Sequence, residues 1–100
     1  MPSYRVTLTV GALRPGVPPE SVLPAAADAV KELTTLEASS VAVVRGEPRL
    51  VVRFTAEDDE IARQIAAHAA SVAGQLAEVL DARVTRRSRN RWLRVPEDRG

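Results

Sequence analysis

Residues 83–95, RVTRRSRNRWLRV, gather Arg83, Arg86, Arg87, Arg89, Arg91 and Arg94 around Trp92, the only tryptophan in the chain, and include no acid. Guanidinium groups donate in pairs to phosphate oxygens, and an indole ring is a platform on which a base can stack. Those residue types together are the chemistry of binding nucleic acid or another polyanion. The net charge of +1 is unevenly spread: residues 1–80 sum to −3 and residues 81–100 to +4. A basic end of this kind is the electrostatic mark of an anionic or acidic partner. Thirteen of the fourteen basic residues are arginine, Lys31 being the exception, and GC-rich codon usage would give the same bias.

Other chemistries find less support. There is no cysteine, which excludes disulfides, thiol catalysis and zinc–thiolate sites. His68 is the only histidine, and its helical neighbours Gln64 and Ser71 are poor partners for a general base or a metal ligand, so it is expected to be a partly buried structural residue. The acids of EDDE, residues 57–60, point in different directions on a helix and cannot converge on one ion; they suit the positive end of a helix dipole. Arg14 and Gly16 precede a helix start, where an anion can bind, but their spacing fits neither phosphate-loop nor dinucleotide fingerprints. No cofactor and no metal is expected, and no nucleophile–base pair marks an enzyme.

The elements that must carry these residues follow from periodicity. YRVTLTV, residues 4–10, alternates Tyr4, Val6, Leu8 and Val10 against Arg5, Thr7 and Thr9, as a strand with one buried face does. A Gly- and Pro-rich loop leads to a helix beginning near Glu20 or Ser21 and ending by Leu36 or Glu37, with Leu23, Ala26, Val30 and Leu33 as its apolar stripe. SVAVV, a turn at RGEP and RLVVRFT read as a hairpin, with Val41, Val43, Leu50, Val52 and Phe54 inward. A long helical pattern runs from a cap at Thr55 to Leu80, with Gly74 as a weak point, and a further strand begins at Ala82. The expected fold class is α+β: a ferredoxin-like βαββαβ sandwich whose antiparallel sheet carries two helices on one face. One domain over residues 1–95 with a frayed tail over 96–100 is expected. No leader and no membrane-length apolar run is visible, which points to a cytoplasmic protein with no membrane partner.

Parity decides how the basic stretch is used. As one long strand, Val84 shares a face with Arg86, Arg94 and Trp92. As a hairpin over 82–95 turning at Arg89-Asn90, residues whose numbers sum to 179 stand opposite each other, adding a fifth edge strand. Val84 then meets Val95 on a mostly apolar face, and Arg87 meets Trp92 on a basic one. Alternation favours the hairpin. The face not covered by helices is then expected to present Arg5, Arg49, Arg53, Arg83, Arg87, Trp92 and Arg94, with Arg89 and Arg91 adding charge around the turn. A plain alternative is a solvated face on which Trp92 packs against Arg87 as a cation–π pair.

Ala42, Val44 and Val51 form a small apolar patch on that face, and a homodimer could stack through it. The RNA-recognition motif shares the βαββαβ topology, and Arg45-Gly46 repeats the opening of its third-strand run. Glu47 and Arg49 stand where that family has stacking aromatics, and Tyr4 falls on the opposite face, so the chain is not assigned to it. Two functions stay open: a nucleic-acid- or polyanion-binding module, and a dimeric structural or small-ligand domain.

Overall fold

A computed structural model describes residues 1–96. It contains β1 (Ser3–Leu13), a 3₁₀ turn (Pro19–Ser21), α1 (Val22–Leu33), β2 (Leu36–Val44), β3 (Glu47–Thr55), α2 (Asp59–Gly74), β4 (Ala77–Ser88) and β5 (Arg91–Arg94). The strands form one antiparallel sheet in the order β2-β3-β1-β4-β5. Each β–α–β unit is split, with β3 between β1 and β2, and β1 between β3 and β4. This α+β arrangement is compatible with a ferredoxin-like fold. Among the described residues no helix is long and apolar enough to cross a membrane.

One sheet face and both helices enclose the core. Tyr4, Val6 and Leu8 of β1 and Val52 and Phe54 of β3 are fully buried with Ala26 and Val30 of α1 and Ala62, Ala69 and Ala73 of α2. The alternation in β1 and β3 dictates this, since side chains two apart share a face. Alanines on the inner side of α2 let that helix lie close to the sheet.

The C-terminal hairpin has the register that parity gives: Thr85 opposite Arg94, Arg86 opposite Leu93, Arg87 opposite Trp92. Arg89 takes up the turn at φ 57°. Val95 is buried, and its N–H donates to the Val84 carbonyl at 2.9 Å. Leu93 faces the helix side but is 43% exposed, because no helix reaches over β5.

Other boundaries differ from expectation. α2 ends at Gly74, not Leu80, and β4 begins at Ala77, not Ala82. The break is fixed by the loop after β1: Arg14 donates from Nε and Nη2 to the Gly74 carbonyl at 3.3 and 3.1 Å, and its N–H donates to the Leu76 carbonyl at 2.8 Å. Arg14 therefore caps a helix C-terminus. Val79 pairs with Val10 and Asp81 with Thr9, so Leu80 is an extra residue in a bulge that reverses the facing of everything after it. Asp58, not Thr55, caps α2, accepting from the Ile61 N–H at 2.9 Å, while Thr55 stays in β3 opposite Ser3. The turn between β2 and β3 is only Arg45-Gly46, and Pro48 lies within β3 opposite Val43. Val41 and Val43 face the helix side yet are 51% and 69% exposed, because β2 is an outer strand. Of the tail expected over 96–100, residues 97–100 lie outside the described residues; the Pro96 carbonyl accepts from Arg63 Nη1 at 3.2 Å.

Tyr4 closes the core under β4. Its hydroxyl donates to Asp59 Oδ1 at 2.7 Å, and Arg86 Nη1 donates to the same oxygen at 3.2 Å. Burial, and then the Asp59 hydrogen bond, push the Tyr4 phenol from its ordinary 10.0 up to about 12. Folding thus favours the protonated phenol. That contribution is fully present below pH 10 and is lost as pH rises toward 12. Urea unfolding should show the native chain losing at most about 2 kcal/mol more than Tyr4→Phe across that interval. Equal losses in the two proteins would show that Tyr4 does not couple folding to alkaline pH.

Candidate functional site

Neither helix covers the second face of the sheet, and pairing register arranges its side chains in rows. Arg53, Arg5, Thr85 and Arg94 form one row across four strands. Val51, Thr7 and Arg83 form the next, and Arg49, Thr9 and Asp81 a third. Arg5, Arg49, Arg53 and Trp92 are half-buried, whereas Arg83, Arg87 and Arg94 are exposed. Among the described residues, six arginines on this face stand against four carboxylates, Glu37, Glu47, Glu78 and Asp81. Glu37 engages Arg53 Nε at 3.0 Å, and Glu47 and Asp81 lie at the far end from Trp92.

Between the rows lies an open concavity of about 430 Å³, lined by Arg5, Thr7, Thr9, Glu47, Arg49, Val51, Leu80, Asp81, Arg83, Thr85 and Trp92. Trp92 forms a wall. Its ring lies 3.9 Å from the Arg5 guanidinium and 5.2 Å from that of Arg53. The expected partner, Arg87, turns away, donating from Nε to the Arg89 carbonyl at 3.1 Å. The ring leans from the outermost strand over the small Thr85 side chain toward β1. Arg5 is thereby held by a cation–π contact worth about 0.5–1 kcal/mol at such an exposed site.

Arg49 is the least satisfied group here: its Nε is buried and has no hydrogen-bond partner among the described residues. A buried donor left unpaired costs free energy, and an acceptor in the concavity would reach this atom only after the Arg49 side chain turned outward.

The expected site residues therefore separate. Arg5, Arg49, Arg83 and Trp92 meet around the concavity, with Arg53 and Arg94 beside it and Arg87 at the hairpin end. Arg89 sits in the turn, and Arg91, opposite Ser88, projects to the helix side. Ala42 and Val44 lie toward the outer edge, and Val51 is part of the floor. Sequence reasoning did not find Leu80 or Asp81, because the bulge that places them was hidden inside an apparent helix. His68 Nε2 lies 3.6 Å from Glu32 Oε1 of α1 on the opposite side of the molecule. No cluster of three or more metal-binding side chains occurs among the described residues. Compared with models of known protein families, with curated proteins and with solved structures, the chain matches none.

Proposed function

We propose that the chain is a binding module, a ferredoxin-like frame with a fifth strand, whose open sheet face takes single-stranded nucleic acid. The observation that carries this is the concavity in which Arg5, Arg49 and Arg83 stand beside Trp92. Arginines on neighbouring strands can follow a phosphate backbone, while an indole accepts the flat face of any base. A splayed single strand fits such a surface better than a duplex, whose stacked bases cannot reach a ring standing on a sheet. Glu47 and Asp81 at the far end accept hydrogen bonds, so that end suits amino or hydroxyl groups and disfavours phosphate.

Trp92, as the single tryptophan, reports on its own site. Titration with mixed-sequence single-stranded DNA of about 12 nucleotides should quench its emission to saturation. Three to six phosphate contacts give a slope of log affinity against log salt of roughly −2 to −4. Unchanged emission at low salt, or quenching indifferent to salt, would sink the proposal.

A further inference from the structure

The two edges of the sheet are built differently. β5 is four residues long and is bounded by the exposed Arg91 and Arg94, the short, charged kind of edge that resists pairing. β2 is nine residues long, and from Ala38 to Val44 it holds no charge and no proline. Its one irregularity, between Leu36 and Ala38, lies at its start.

Arg45 at φ 54° and Gly46 at φ 80° make the two-residue turn in which the flanking pair, Val44 and Glu47, bond to each other. Alternation then aims the N–H and C=O groups of Val43 and Val41 away from β3, toward the free edge. Pro48 opposite Val43 fits this pattern, since that pair calls for no proline N–H. Val41 and Val43 are 51% and 69% exposed, and they border an apolar groove of about 560 Å³ shared with Leu13, Leu23 and Pro24.

We propose that β2 is the dimerisation edge, and that its occupant is β2 of a second copy, running antiparallel. The strand is complementary to itself. With Ala42 on the two-fold axis, Val41 stands opposite Val43 of the second copy and Val43 opposite its Val41. Four valines then close one strip, and no like charges face each other. The axis is perpendicular to the sheet, so a ten-stranded sheet results with both concavities on one side. This differs from a dimer stacked through Ala42, Val44 and Val51, which would cover that side.

Sedimentation equilibrium without nucleic acid, up to roughly millimolar chain, should give twice the chain mass. Val43→Lys should raise the dimer dissociation constant about a hundredfold while leaving Trp92 emission unchanged, because Val43 lies outside the core and the concavity. Ala42→Cys offers a second readout in a chain without cysteine. Its two sulfurs meet at a non-hydrogen-bonded pair with Cα atoms about 4.5 Å apart, so oxidation should cross-link it, whereas Ala67→Cys on α2 should form no cross-link. A chain monomeric throughout, a dimer that survives Val43→Lys, or an Ala42→Cys variant that cross-links no better than Ala67→Cys would overturn the proposal. None of these outcomes depends on whether nucleic acid binds.

Discussion

Phe54→Ala is expected to destabilise the fold by about 3–5 kcal/mol, the range for removing a buried aromatic side chain. Phe54 is fully buried, stands opposite Tyr4 across β1 and β3, and stacks on it with centroids 6.0 Å apart. Ala26, Ala62 and Ala69 belong to the same buried cluster. Side chains that short cannot reach into a vacated ring volume, so the cavity remains and the cost falls toward the upper end. For a domain of this size the midpoint of thermal unfolding should drop by roughly 15–30 °C. A loss below about 1 kcal/mol in urea unfolding would mean that the core is held by something other than this aromatic pair. The effect reaches the open face, because Arg49, Val51 and Arg53 alternate with Leu50, Val52 and Phe54 along β3.

What could be seen in the sequence, and what could not, divides by the range of the interaction. The hairpin register followed from parity alone, because one buried face leaves a strand a single acceptable alignment. The end of α2 did not. Val72, Leu76 and Val79 keep helical spacing across Gly74, and the break rests on contacts sixty residues away in sequence, those of Arg14 with the Gly74 and Leu76 carbonyls and the pairing of β4 with β1. Leu80 in the bulge was hidden for the same reason, and with it the facing of Asp81. Val41 and Val43 had the correct parity and the wrong burial. Periodicity reports which side a residue faces, and strand order decides whether a helix covers it. Trp92 was placed on the correct face, but its partner was not Arg87. Register names the residue directly opposite, whereas a large ring reaches diagonal neighbours about 7–8 Å away. The basic face was thus legible as a composition, and the concavity within it was not.

Replacing Arg5, Arg49 and Arg83 together by alanine should separate geometry from mere charge. If single-stranded DNA lies along the concavity, the triple variant loses three phosphate contacts, and its salt slope should fall by about 2. Affinity at low salt should drop roughly 10²–10³-fold. Arg89→Ala with Arg91→Ala removes two charges from the same hairpin, but one sits in the turn and the other projects to the helix side. Loss of those two should weaken binding less than about threefold, through the long-range field alone. Folding should be nearly indifferent to loss of the exposed Arg83, Arg89 and Arg91, within about 0.5 kcal/mol each, while the half-buried Arg5 and Arg49 also give up packing and, for Arg5, the cation–π contact. That contact supplies an internal check. Arg5→Ala takes the guanidinium from 3.9 Å above the ring, so Trp92 emission should change in the free protein before any ligand is added. Equal losses from the two sets would show that the protein acts as a diffuse cation, and the concavity would then have no part in binding. A large loss confined to Arg5, Arg49 and Arg83 would place the strand between β3 and β4, where these three line the concavity.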